Sequence, residues 1–229
     1  DINGDDAAAK LAILAQVGLK TNASPNSIRK TPVSSVEAID FMYARQLGAT
    51  IRQVSRAQLD GRKLFAAVEP ALVPLNSALA RVEGSQNVVV ASGKYGGNTA
   101  FLGHGAGGHP TAVAVISDLL AATDSRSHAA WLANNDAKPI RTSSDFTTPH
   151  YVRFIVKDRP GIIATIASTL AQRGINIDAV LQKSGFAKAE LPFVVTLEPC
   201  GASVLREALE ELSQADFLVR PPVHFPILN

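Results

Sequence analysis

The 229-residue chain has one cysteine, Cys200, which excludes an internal disulfide framework. Cys200 lies in Glu198-Pro199-Cys200-Gly201, expected as a loop between strand and helix, and no histidine partner is in view to make it a nucleophile. The chain also lacks any dense Lys/Arg block, and its formal net charge is only +2, so nucleic-acid binding has no electrostatic footing. Long apolar runs are missing too: Val113–Leu120 is far short of a membrane span and is interrupted by Ser117-Asp118. The expectation is no nucleic-acid partner, no membrane partner and a cytoplasmic location.

What is present is material for packed cores. The chain is 46% hydrophobic and 18% charged, and its length suits one large domain or two ordinary ones. Polar, turn-prone clusters (Asp124–His128, Asn134–Asp136, Thr142–Asp145) form a seam relieved only by Trp131-Leu132. The reading is a first unit over 1–124, a linker over 125–148 pinned by its tryptophan, and a second unit over 149–229.

In the first unit, Val36–Ala44 reads as a helix ended by Gly48. Thr50–Ser55, Leu64–Val68 and Gln86–Ala91 read as strands, and Pro70 and Pro74 as the brackets of an irregular stretch. Thr111–Ala122 is a second helix, so the class is α/β around a mixed sheet. The second unit is clearer. Tyr151–Val156 is a strand, Asp158–Gly161 a turn, and Ile162, Ile163, Ile166 and Leu170 a helix face ended by Gly174. Ile175–Leu181 and Phe193–Leu197 are strands, and Val204–Leu212 a second amphipathic helix before Phe217–Val219 and Val223–Ile227. This is βαββαβ, a ferredoxin-like α+β unit with both helices on one sheet face. The other face needs a cover, and a second copy of the chain is the simplest one.

Two segments could carry chemistry. At the N-terminus, Asp5-Asp6 serves as N-cap and first-turn acid, and Leu11, Ile13, Leu14 and Val17 follow at helical spacing. Asp6 and Lys10 are four apart and share a face, either as a surface ion pair or as part of a site within which the chain begins. Gly103-His104-Gly105-Ala106-Gly107-Gly108-His109-Pro110 runs from a strand into the Thr111 helix, with Pro110 in its first turn. Glycines there either form a tight turn or let a ligand lie against exposed amides. The spacing is not the dinucleotide fingerprint. His104 and His109 lack companions for a metal and read as turn histidines.

Together these residues resemble the homoserine dehydrogenase family. Asp1–Leu14 is similar to its D-x-x-G-x-D-x-x-x-K-L-x-I-L signature, and Gly103–Ala112 to its G-x-G-A-G-x-x-P-T-A segment. Asn87–Val90 and Val68–Pro74 fit as well, and the last 80 or so residues resemble an ACT domain, with Asp158-Arg159-Pro160-Gly161 as its strand-to-helix turn. The resemblance implies that Lys10 is the catalytic lysine beside the reacting oxygen, and that Asp6 holds the substrate's amino group or orders the site, with Asp1 in the same polar cluster. It places Gly103, Gly105, Ala106 and Gly107 on the nicotinamide side of a cleft. NADP or NAD would serve the full-length parent in interconverting L-homoserine and L-aspartate 4-semialdehyde. The family's Rossmann domain is expected ahead of Asp1, so this fragment alone is expected neither to bind NAD(P) nor to turn over. In the ACT unit, Asp158, Arg159, Pro160, Gly161 and Gln182 would hold an amino-acid effector, threonine first, while Arg153 and Lys157 are expected to face solvent. A homo-oligomer, dimer or tetramer, is implied. The alternative is a sensing and dimerisation module without catalysis.

Overall fold

A computed structural model describes residues 2–123 and 140–228; Asp1 and the Trp131-Leu132 patch lie outside the described residues. The first unit is built on a long hairpin, β2 (Ala49–Asp60) and β3 (Lys63–Pro74), paired from Ala49↔Pro74 to Asp60↔Lys63. Gly61, at φ +56°, makes the turn. Along the other edge of β3 run two short parallel strands, β1 (Arg29–Lys30) and, later in the chain, β6 (Arg141–Ser143). The sheet is therefore mixed, as expected. The segment read as linker is partly built into it, and Phe146 lies buried against Phe65, ring centroids 5.6 Å apart.

Pro70 and Pro74 do not bracket irregular chain; both lie within β3 opposite Gln53 and Ala49. Proline has no N–H for the ladder, so it survives where its nitrogen faces away from β2, on the edge beyond the two residues of β1.

Helix α1 (Asp5–Leu19) packs on this sheet, but not with the face its larger residues suggest. Ala8, Leu11, Ala12 and Ala15 are buried against Leu64, Ala66 and Val68, whereas Ile13, Leu14 and Val17 are exposed. Small side chains let the helix approach the sheet closely. The N-cap is Gly4 rather than Asp5: its φ is +82°, and a Cβ there would meet Val68 Cγ1 at 3.1 Å. Helix α2 (Ala38–Gln46) follows before β2. Strands β4 (Gln86–Gly93) and β5 (Gly97–His104) form a separate two-stranded ribbon that leads into α3 (Gly108–Thr123). This arm exposes Phe101, Leu102, Ile116, Leu119 and Leu120.

The second unit has strand order β10-β7-β9-β8, with β7 (Thr147–Val156), β8 (Ile177–Gln182), β9 (Leu191–Gly201) and β10 (Val223–Pro226) all antiparallel. Cys200 therefore sits at the end of a strand, paired with Thr148, rather than in a loop. Helices α4 (Ile162–Ala171) and α5 (Ala202–Leu212) cover one face, where Phe154 and Phe193 stack among Ile166, Leu170, Leu205 and Leu209. Each such side chain contributes about 1.5–3 kcal/mol by leaving water.

The opposite face is not left for a second copy. The chain's own α2 and β2–β3 hairpin cover it: Tyr43, Ala44, Ile51 and Leu72 form one core with Tyr151, Val194 and Phe225. Arg153 is on this face, so it does not project to solvent; it is 2% exposed. Its charge is met by Glu37 at 2.8 Å and Asp40 at 3.2 Å.

Candidate functional site

The N-terminal candidates gather on the outer face of α1. Asp6 and Lys10 form an ion pair at 2.7 Å, with side chains 54% and 61% exposed. One and two turns further along the same stripe lie the exposed Ile13, Leu14 and Val17. Asp5 points elsewhere, to Lys30 at 2.6 Å, whose hydrogen bond and charge hold the Asp5 carboxyl below its ordinary range. This face thus presents a carboxylate, an ammonium and an apolar patch side by side. Such a set can hold an ammonium–hydroxyl substrate by charge-assisted hydrogen bonds and stabilise charge at a reacting oxygen.

The glycine segment is on the arm. No hydrogen bond or ion pair joins it to Asp6 or Lys10 among the described residues. Two of its glycines have structural reasons. A Cβ on Gly105 would sit 2.0 Å from Asn87 Nδ2, and Gly107 turns into α3 at φ +122°. The Gly105 N–H donates to the Ser85 carbonyl at 2.8 Å, and the Ser85 hydroxyl meets His104 Nδ1 at 3.0 Å. Gly103, at the end of β5, pairs with Asn87, and Ala106 follows in the turn. The arm is one open wall. Residues 97–109 along it are exposed.

In the second unit, four of the five effector candidates do come together. A pocket of about 210 Å³ is lined by Asp158, Arg159, Gly161 and Gln182, with Ile162 and Phe193 among its apolar walls. Pro160 belongs to the same turn but is not in the lining. Gly161 caps α4 at φ +95°, and the first turn of the helix, Ile162 to Ala164, lines this space with it. Arg159 is committed elsewhere, clasping Asp216 with both guanidinium nitrogens. Lys188 Nζ stands 3.9 Å from Asp158.

Sequence reading missed the buried polar joint between the units. Tyr151 donates to Asp40 Oδ1 at 2.7 Å, and Asp40 Oδ2 accepts from the Glu37 N–H at 2.8 Å. Tyr43 donates to the Pro192 carbonyl at 3.1 Å and accepts from the Lys183 N–H at 3.3 Å. Burial, with the adjacent Asp40 charge, pushes the Tyr151 phenol up, so it stays a donor. The Glu37-Ala38-Ile39-Asp40 spacing is a legible helix-start signal. Its partners more than a hundred residues away are not. Among the described residues no group of His, Cys, Asp and Glu is arranged to hold a metal ion. Nor is any described helix long and apolar enough to cross a membrane.

An α/β body with an exposed Asp–Lys helix face, carrying a ferredoxin-like unit with an amino-acid-sized pocket, defines an enzyme segment joined to a regulatory domain. Comparison with known proteins specifies it. The Homoserine dehydrogenase family profile matches residues 1–120 and the ACT domain profile residues 150–217. The chain belongs to the homoserine dehydrogenase family, a family of oxidoreductases, and carries an ACT domain. It is 33% identical over 228 residues to homoserine dehydrogenase of Mycobacterium leprae, covering 94% of this chain and 52% of that protein. It is 32% identical over 186 residues to that of Bacillus subtilis, covering 80% and 43%. The crystal structure of a homoserine dehydrogenase from Thiobacillus denitrificans superposes with a TM-score of 0.87 at 26% identity, over 100% of this chain and 54% of that one. The chain spans about half the length of these relatives.

Proposed function

We propose that this chain is the substrate-side and regulatory half of a homoserine dehydrogenase whose full-length form interconverts L-homoserine and L-aspartate 4-semialdehyde with NADP or NAD. The observation that carries the reading is the Asp6–Lys10 pair, set open on α1 in a chain of this family. Lys10 stabilises charge on the reacting oxygen and relays its proton. Asp6, with Asp1 in the same polar cluster, holds the substrate ammonium. When bound in the parent, NAD(P) would supply or accept the hydride, and Gly103, Gly105, Ala106 and Gly107 would face its nicotinamide side. The exposed apolar stripe of α1 and the exposed side chains of α3 are the surfaces the rest of the parent covers. Alone, this chain is inactive.

The ACT pocket binds an amino acid, threonine first, through Asp158, Gly161 and Gln182, with Arg159 and Pro160 shaping the turn. Its backbone amides receive the carboxylate. The protein is a cytoplasmic homo-oligomer. The sensing-module alternative describes what this half does by itself. Calorimetric titration of this chain with L-threonine, NADP and L-homoserine tests the reading. Saturable heat with threonine alone is expected. Saturable NADP binding would contradict the placement of the nucleotide site outside this half, and no threonine heat would contradict the assigned effector.

A further inference from the structure

The seam between the two sheets gathers basic side chains that neither the catalytic nor the effector reading uses. Arg29 on β1 and Arg56 on β2 both pair with Ala67 of β3, from opposite sides, so they project from one face of the sheet. It is the face away from α1, since the alternate residues Leu64, Ala66 and Val68 are the ones under that helix. Glu69, two residues on, shares it. Against this face come Arg206 of α5, His150 of β7 and His224 of β10, the two imidazoles edge-on with centroids 6.0 Å apart.

The charges do not balance. Three arginines face Glu69 and, beside Arg206, Asp145, which already accepts the Ser203 N–H at 2.8 Å. No ion pair within 4 Å joins any of these arginines to a carboxylate among the described residues. Arg56 lies with its guanidinium 3.6 Å above the Phe146 ring, which covers one side of the plane and leaves the edge for hydrogen bonding. Its Nη2 on that edge is buried without a partner. His150 is 2% exposed; its Nε2 has the Thr148 hydroxyl at 3.5 Å, the Cys200 backbone lies against the ring, and its Nδ1 makes no hydrogen bond of full geometry. Buried donors beside excess positive charge cost stability unless something accepts from them.

We propose that this seam binds a small tetrahedral oxyanion, phosphate in the first instance, accepting from Arg56 Nη2 and the His150 ring and neutralised by Arg29 and Arg206. Bound there, the anion would tie the mixed sheet to the ACT domain. A guanidinium edge and an imidazole on separate strands suit the several oxygens and greater charge of phosphate better than the single acceptor atom of chloride.

The test is thermal unfolding of this chain at pH 7 and fixed ionic strength, with chloride exchanged stepwise for inorganic phosphate. A saturable rise in Tm is expected for the wild type and for the control R45M, an exposed arginine of α2 that takes no part in the seam. R56M is expected to lose the rise; it also takes a facing cation from Glu69 and the stack from Phe146, so its Tm without phosphate is expected to fall, and the phosphate-dependent shift is the readout. R206M, at a half-buried position, is expected to weaken the rise and guards against a misfolded R56M. A phosphomonoester run alongside separates an esterified phosphate, which would match the free ion, from a site closed to all but the ion. No saturable rise in the wild type, or an equal rise in R56M and R206M, overturns the proposal.

Discussion

Tyr151 and Asp40 meet at 2.7 Å across the junction of the two units, and neither is exposed at all. The bond fixes α2 on the ACT sheet and gives Arg153 a buried counter-charge. A carboxylate this deep is tolerable only because Tyr151, the Glu37 N–H and Arg153 all face it.

Breaking that set by one member should therefore be expensive. Arg153→Met leaves Asp40 buried without its cation and is expected to cost about 3–5 kcal/mol in urea unfolding. Tyr151→Phe should cost about 1–3 kcal/mol. Pairing Arg153→Met with Asp40→Asn should recover part of the loss. A single Arg153→Met cost below about 0.5 kcal/mol, the level of a surface substitution, would refute the joint.

The two seam histidines predict an acid-sensitive fold. Burial pushes both His150 and His224 down to about 4, from an ordinary 6.5, and nearby arginines act in the same direction. The unfolded chain then binds more protons than the folded one between those values, so stability falls as pH drops from about 6.5 to about 4. Above that window the histidines contribute no slope. His224→Phe should flatten the dependence of the urea midpoint on pH across the window, compared with the wild type. Equal slopes would show that other groups cause it.

On α1 the buried and exposed faces make opposite demands. Ala8→Leu, at a position 1% exposed against the sheet, should overpack and cost about 1–3 kcal/mol. Val17→Ala, at 60% exposure, should stay within about 0.5 kcal/mol in this chain. Circular dichroism melts of the two variants decide it, and a reversed order would mean the helix is rotated.

Gly105 should prove intolerant for a local reason. Gly105→Ala drives a methyl into the Asn87 side chain and is expected to loosen the β4–β5 ribbon, read as faster amide exchange at Asn87 and Gly103. Adding Asn87→Ala should restore the protection, because the three atoms nearest to an added methyl all belong to that side chain. If it does not, the glycine serves the backbone rather than this contact.

The ACT unit was legible almost strand by strand because each element is half-buried, and period 2 or 3.6 then appears directly in the residues. The buried face of α1 was not legible for the converse reason. Its contact with the sheet is made by alanines, which carry little hydrophobic signal, while its larger apolar side chains stay outside. Pro70 and Pro74 looked like breakers because a sequence does not reveal which edge of a strand will lack a neighbour. Arg153 looked like a surface residue because its acids are on α2, brought near only by the fold. At the candidate sites, the motifs located the Asp6–Lys10 pair and the Asp158–Gly161 turn. Gln182 reached the pocket only through strand pairing, and the seam of Arg29, Arg56, Arg206, His150 and His224 has no motif at all.

The most direct measurement is turnover of L-aspartate 4-semialdehyde with NADPH by the full-length protein, wild type against Lys10→Met. The account predicts that kcat falls by about 10²–10⁴, the usual worth of a positioned acid–base group, while Tm is unchanged because the Asp6–Lys10 pair is exposed. A variant that keeps wild-type kcat would contradict the assignment of the chemistry to this helix face.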